Sequence, residues 1–199
     1  MERYTVELTF TEALLGTSPL NEDIYTEHVG SNAPEGIVPQ DEIESLEDVA
    51  ELVEKGSTGF HRINGQPIWW DYQVKGFFKD ACGMLRRVSG TRSSKLTAYR
   101  KAIDGLLFVT PRQITFKLNG GEMGWLERPL RAQTAKGERI ALARSETIPA
   151  ASSMEFEVIA LGVISESVLK EWLDYGALRG MGQWRNAGYG RFTYKLTKQ

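Results

Sequence analysis

The chain has 199 residues, 41% of them hydrophobic and 10% aromatic, and a formal net charge of −2. That apolar content supports one ordinary core and excludes wholesale disorder, and no apolar run approaches the roughly 18–20 residues of a membrane-spanning helix. The single cysteine, Cys82, excludes an internal disulfide framework and a multi-cysteine zinc site.

The near-neutral total hides a segregation. Residues 21–54 hold 11 acids and no Lys or Arg. Residues 75–101 hold 8 bases against one acid, Asp80, and residues 176–199 hold 5 bases and no acid. Separate acidic and basic surfaces suit a polyanion on one side and a basic partner on the other. Solvated faces give the same pattern, so charge alone leaves both readings open.

Met1 to Val6 already alternates like a strand and carries no basic-then-apolar signal segment, so a cytoplasmic, reduced setting is expected. Tyr4, Val6, Leu8 and Phe10 share one side of a half-buried strand over Tyr4–Phe10. The polar stretch Gly16–Gln40, with Pro19, Pro34 and Pro39, reads as a long loop. Ser45–Lys55 reads as a short acidic helix that Ser45 and Asp48 open and Gly56 closes. Asn64-Gly65 is a hairpin turn between Phe60–Ile63 and Pro67–Tyr72.

The strongest helix runs from Tyr72 to Val88. Val74, Phe77, Phe78, Ala81, Met84, Leu85 and Val88 make its broad apolar face, with Lys75, Lys79 and Arg86 together on another. Lys95–Ile103 is a short second helix. Leu106–Leu118 is strand-like and bends at Pro111. Gly124–Gln133 and Arg139–Ser145 form a long hairpin around Ala135-Lys136-Gly137. Met154–Val163 alternates as a core strand. Ser165 caps a helix to Tyr175 whose stripe is Val168, Leu169 and Trp172. A glycine-rich loop, Gly176–Gly190, leads into a last strand, Arg191–Lys195.

Stripped of insertions, the order is βαββαβ. The expected class is therefore α+β, a ferredoxin-like or RRM-like core with two helices on one face of an antiparallel sheet. One domain over 1–199 is expected, with an acidic insertion at 20–58 and a hairpin insertion at 119–147.

The segment Gly176–Phe192 carries the most chemistry: five glycines and three arginines, with Trp184 and Tyr189 between them. Glycines let backbone N–H groups approach a phosphate, arginines pair with it bidentately, and aromatic rings stack on unpaired bases. A glycine-rich turn that only packs against a sheet shares much of this composition.

Gly180 to Phe192 spells G-x-G-x-x-R-x-x-G-Y-G-R-F between helix and strand. In this form it resembles the C-terminal glycine-rich loop of the CRISPR-associated RAMP superfamily, repeat-associated proteins on RRM-like folds. Two more segments match in order. Asn64-Gly65-Gln66-Pro67-Ile68, followed by Gln73-Val74-Lys75-Gly76-Phe77-Phe78-Lys79, is similar to that family's lead-in to its first helix. Ile148-Pro149-Ala150-Ala151-Ser152-Ser153-Met154-Glu155-Phe156 is similar to its lead-in to the third core strand. Trp69-Trp70-Asp71-Tyr72 departs from the usual P-G-S-S, and Ala151 stands where glycine is typical. The departures fit a diverged, stand-alone or phage-borne relative of these antiviral-defence proteins.

The resemblance implies RNA binding, and the first reading is a non-enzymatic subunit that stacks with copies of itself or with other CRISPR-type subunits, with no cofactor or metal expected. It assigns guide-RNA contacts to Lys75, Lys79 and Arg86 on the first helix. From the loop it takes Arg179, Gly182, Trp184, Arg185, Asn186, Gly188, Tyr189 and Arg191. Read without the family, a basic stripe beside a basic glycine-rich loop also makes a groove for a single strand. Trp125, and whichever of Trp69 and Trp70 points outward, are further stacking candidates.

Two alternatives stay open. The acidic segment 21–54 could mimic nucleic acid and occupy a partner's basic groove, as an inhibitor of such a complex would. A repeat-RNA endonuclease would need a catalyst, and the candidates are His28 and Asp23, the latter holding a hard cation with Glu22 or Glu27. Eleven nearby carboxylates would repel the scissile phosphate from His28, and His61 is a weaker candidate still. Cys82 reads as a buried structural thiol.

Overall fold

The computed structural model describes residues 1–20, 57–134 and 137–199, with side chains for all of these but 130–134 and 137–142. The acidic helix expected at Ser45–Lys55, most of the loop expected at Gly16–Gln40, the candidates His28 and Asp23, and the Ala135-Lys136 turn lie outside the described residues.

Period-two alternation forms β1 (Glu2–Phe10), whose Tyr4, Val6, Leu8 and Phe10 are fully buried. Short strands β2 (Leu14–Leu15), β3 (Ser18–Pro19) and β4 (Ser57–Gly59) follow. β5 (His61–Ile63) and β6 (Gln66–Trp70) are the expected hairpin. Asn64 (φ 51°) and Gly65 (φ 79°) both take the positive φ that a two-residue hairpin turn demands.

α1 (Asp71–Leu85) buries Val74, Phe77, Phe78, Ala81 and Cys82. It stops three residues short of the expected Val88. The hydroxyl of Thr91 donates to the carbonyls of Leu85 and Val88, both at 2.9 Å, and Gly90 (φ 86°) turns the chain away. The second helix, α2 (Tyr99–Leu106), starts later than expected because a 3₁₀ turn, Ser93–Lys95, precedes it.

The expected strand Leu106–Leu118 is two strands, β7 (Leu107–Thr110) and β8 (Gln113–Lys117), parted at Pro111-Arg112. β9 (Gly124–Thr134) and β10 (Gly137–Ile148) are the long hairpin. β11 (Ser153–Ala160) is the third core strand, α3 (Glu166–Arg179) the last helix and β12 (Phe192–Lys198) the last strand.

The described chain forms two compact units. The first comprises Met1–Leu14, His61–Glu122 and Ile148–Gln199. Its sheet runs β12-β1-β11-β8-β6-β5, with β7 also on β11. β1 pairs antiparallel with β11 and β12, and β11 antiparallel with β7 and β8. In core numbering that is fourth-first-third-second, the ferredoxin-like order, with the β5–β6 hairpin extending one edge.

Both long helices lie on the face that β1 buries. Phe78 of α1 meets Trp172 of α3 at 5.7 Å between ring centroids, and Phe77 meets Phe192 of β12 edge-on at 5.9 Å. Pairs of this kind add about 0.5–1.5 kcal/mol beyond the area they bury.

The second unit comprises Leu15–Phe60 and Met123–Thr147, and of the acidic insertion expected at 20–58 only the ends are described. β3 pairs antiparallel with β4, β4 parallel with β10, and β10 antiparallel with β9. Beside the buried Leu15 and Phe60, its described residues include several paired polar groups. The Phe60 N–H donates to Glu146 Oε2 at 3.0 Å, the Thr58 and Ser145 hydroxyls are 2.8 Å apart, and Arg128 donates to Ser145 at 3.3 Å.

One carboxylate fastens the connector between α1 and α2. Glu171 of α3 accepts the backbone N–H groups of Arg92 (2.7 Å) and Ser93 (2.9 Å) and the Ser93 hydroxyl (2.6 Å). The Trp172 indole donates to the same hydroxyl oxygen at 2.9 Å. Burial pushes the Glu171 carboxyl up, but its three donors outweigh that and hold it below the ordinary value of 4.5. A depressed carboxylate contributes stability above its unfolded value and loses it as pH falls through the folded one. Glu171→Gln should therefore be less stable than wild type near neutral pH, with the gap closing as pH falls below about 4.5. Urea unfolding of both proteins across that range measures it, and a gap independent of pH would contradict this account.

Candidate nucleic-acid interface

α3 does not end at Tyr175 as expected but runs on to Arg179. Gly176 is buried inside it, and a Cβ there would overlap the Phe77 ring and lie 2.7 Å from Phe192 Cζ. This glycine serves helix packing, not phosphate approach.

The helix stops at Gly180 (φ 84°), whose N–H still reaches the Gly176 carbonyl at 2.7 Å. The chain then pairs with itself. Met181 N–H donates to the Gly190 carbonyl at 2.9 Å, and Gly190 N–H donates to the Ala13 carbonyl at 2.9 Å. A Cβ at Gly180 would overlap the Tyr189 carbonyl oxygen, and one at Gly190 (φ 70°) the Met181 carbonyl oxygen. Two glycines thus close the base of the loop, and residues 182–189 stand beyond it.

Gly182 (φ 76°) and Gly188 (φ 92°) turn the chain inside that loop. Around Gly188 a Cβ would meet only the Arg191 side chain, at 3.7 Å or more. Trp184 sits in the left-handed region (φ 52°) and is 38% exposed. Its ring stacks on Tyr189 at 5.5 Å with an interplanar angle of 4°. Arg179 bonds the Asn186 side-chain oxygen, tying the end of α3 to the loop. Arg185 pairs with Asp80 of α1 at 2.5 Å. The Arg191 side chain is exposed beside Gly188.

The other predicted contacts group elsewhere in the first unit. Lys79 pairs with Asp104 of α2 at 2.5 Å, and Lys75 donates to the Asp104 carbonyl at 3.1 Å with its ammonium 5.4 Å from the Phe108 ring. Arg86 lies over the Tyr99 ring at 5.1 Å. The basic stripe read from helical spacing therefore faces α2, and Asp80, on α1, links that helix to the loop. Sequence reasoning does not single out Asp80, Tyr99 or Asp104. For Asp80 a signal exists: it is the lone acid in a basic run, which suits a residue with a cation to neutralise.

Trp69 is buried and Trp70 is the outward member of the pair. Trp70 stacks on Tyr72 at 6.2 Å, with Arg112 5.8 Å from its ring and His61 edge-on at 5.9 Å. Burial pushes the His61 imidazole below its ordinary value. In the second unit Trp125 is 46% exposed, with the Arg144 guanidinium 4.2 Å from its ring. Cys82 is buried, and burial pushes its thiol up. Among the described residues no group of three His, Cys, Asp or Glu side chains could hold a metal ion, and no helix is long and apolar enough to cross a membrane.

No protein-family model matches the chain, and no curated protein matches it. Its fold is similar to that of a chain in the cryo-EM structure of the Type III-B Cmr-beta bound to cognate target RNA, with a TM-score of 0.52 at 13% identity. The match covers 99% of this chain and 61% of that one, so this chain spans about three fifths of that chain's length. A chain of a Type IV-B CRISPR complex matches over 98% of this chain and 90% of its own, with a TM-score of 0.46 at 12% identity. At 13% identity the likeness to the Cmr-beta chain is one of fold alone.

The two kinds of glycine separate by substitution. Gly190→Ala forces a side chain onto the Met181 carbonyl and should destabilise the protein by about 2 kcal/mol or more, whereas Gly188→Ala should cost only the roughly 1–2 kcal/mol of a left-handed non-glycine residue. Denaturant midpoints for the two variants test this, and equal losses would show that the loop base does not need its glycine.

Proposed function

We propose that the chain is a RAMP-type, non-enzymatic subunit that binds single-stranded RNA within a CRISPR-type ribonucleoprotein, beside copies of itself or other subunits. The observation that carries this reading is the stacked Trp184–Tyr189 pair, set on a loop that holds Arg185 and is flanked by Arg179 and Arg191. Aromatic faces bind bases without regard to sequence, and arginines bind the phosphates between them. The similarity of fold to a chain in the RNA-bound Cmr-beta structure supports the reading, as do the three motifs in family order.

The opposite surface of the core argues for the loop as the binding side. On the open face of β1, β11 and β12, Glu7 lies opposite Glu155 and Thr5 opposite Glu157. That face has no aromatic ring on these three strands, so it lacks the stacking platform by which RRM sheets hold bases, and its three carboxylates outnumber its two cations, Arg3 and Lys195.

RNA affinity measured at several salt concentrations tests the reading. Arg191→Ala should weaken binding about equally across sequences and lower the salt slope by roughly 0.7 for each phosphate left without its cation. Trp184→Ala should cost about 1–3 kcal/mol with the slope unchanged, because stacking involves no counterion release. Circular dichroism controls for folding. Variants that bind like wild type would remove the loop as the interface. A wild-type protein that binds no RNA would overturn the reading and put the acidic segment 21–54, as a nucleic-acid mimic for a basic partner, in its place.

A further inference from the structure

We propose that the outer edge of β12 pairs with the same edge of a second copy of the chain, antiparallel and about a two-fold axis at Leu196. This inference is made on the core sheet and does not rest on the RNA-binding reading. It also differs from the side-by-side stacking that the resemblance implies, because a two-fold pairing uses one surface twice and closes at two copies.

β12 ends the core sheet, with β1 on one side and, among the described residues, no strand on the other. In an antiparallel ladder, alternate residues turn their N–H and C=O groups to opposite sides. Gln199 N–H donates to the Arg3 carbonyl at 3.0 Å and Thr11 N–H to the Arg191 carbonyl at 2.8 Å, so the odd-numbered residues of β12 face β1. The backbone groups of Tyr194, Leu196 and Lys198 therefore point outward, and among the described residues no backbone group pairs with them. Another extended chain is what supplies donors and acceptors at that spacing.

Edge strands are ordinarily blunted by proline, by bulges, by shortness or by lysines held over the edge. β12 runs for 7 residues without proline. Its register is unbroken from Phe192 opposite Phe10 to Lys198 opposite Tyr4, so no bulge interrupts it. Its two lysines are drawn back toward acids of its own sheet. Lys198 pairs with Glu2 of β1 at 2.5 Å, and Lys195 shares a shallow depression with Glu7 of β1 and Glu155 of β11. The edge is thus long, flat and open.

Pattern and charge select the occupant. A strand that continues this sheet needs apolar residues on the helix side and polar residues on the open side. β12 has that alternation itself, with Phe192, Tyr194 and Leu196 on one side and Thr193, Lys195 and Thr197 on the other. An axis at Lys195 would set that lysine against itself, and like charges directly opposite are unfavourable. An axis at Tyr194 would bring together two Asp174 carboxylates, since each accepts a Tyr194 hydroxyl at 2.6 Å. An axis at Leu196 sets Leu196 against Leu196, Lys195 against Thr197 and Lys198 against Tyr194, with no like charges opposite. Lys198 then meets a tyrosine ring that carries a carboxylate at its tip. The paired stretch, 193–199, contains no residue of the candidate RNA interface.

The test is sedimentation of the nuclease-treated full chain over a wide concentration range at physiological ionic strength. Wild type should form a dimer and nothing larger. Thr197 is exposed and lies opposite Lys195 of the second copy in this register. Thr197→Lys should weaken the dimer and Thr197→Glu should strengthen it, each by roughly 2- to 30-fold in Kd, the size of two symmetric cross-strand pairs. Misfolding cannot move the two variants in opposite directions. Leu196→Pro removes an outward N–H and none of the ladder with β1, so it should abolish the dimer while circular dichroism stays that of wild type. Trp184→Ala should leave the dimer unchanged, which separates this pairing from the RNA reading. A wild type that stays monomeric or grows past two copies overturns the proposal. So does a dimer that the two Thr197 variants leave unmoved or shift in the same direction.

Discussion

The absence of a side chain at Gly176 sets the distance between the two long helices. Phe77 of α1 fills the space that a Cβ would occupy, and Phe192 of the last strand closes on the same point. Everything the candidate interface needs follows from that contact. Asp80 is three residues after Phe77 and so lies near it on the helix surface. With α1 seated against α3, Asp80 reaches Arg185 in the loop that α3 leads into. One residue along, Phe78 packs on Trp172, whose indole bonds Ser93, and the neighbouring Glu171 holds the connector from which α2 starts.

The glycines of the 176–190 segment divide the work. Gly176 serves helix packing, Gly180 and Gly190 let two backbone strands touch at the loop base, and Gly182 and Gly188 shape the loop itself. A segment rich in glycine for phosphate approach and one rich in glycine for close packing have the same composition. Here the packing use holds for Gly176, Gly180 and Gly190, and only the distances reveal it.

Charge is sorted by surface in the same way. The open face of the core sheet carries Glu7, Glu155 and Glu157 against Arg3 and Lys195, while α1, its C-terminal cap and the loop after α3 carry Lys79, Arg86 and Arg185. Several of those arginines and lysines are held by acids or rings, as Arg185 is by Asp80, Lys79 by Asp104 and Arg86 by Tyr99. Holding long side chains in place lowers the conformational entropy they would lose on meeting a polyanion, at the cost of competing with it for the charge.

Much of the core was legible in the sequence, because it depends on local periodicity. The alternation of Tyr4, Val6, Leu8 and Phe10, the apolar face from Val74 to Leu85 and the Asn64-Gly65 turn each report a single backbone geometry, and together they gave the βαββαβ order. The loop's aromatic and arginine residues were legible as types, since stacking and phosphate pairing require those side chains. What the tertiary structure alone decided was which groups meet. Helical spacing put Lys75, Lys79 and Arg86 on one stripe but said nothing of Asp104 and Tyr99 on α2, toward which that stripe turns. Periodicity placed Gly176 after the helix, whereas the Phe77 ring from a distant segment keeps it inside. β4 pairs in parallel with β10, a strand far from it in the chain. Such pairings are set by contacts between residues far apart in sequence, and no local pattern encodes the partner.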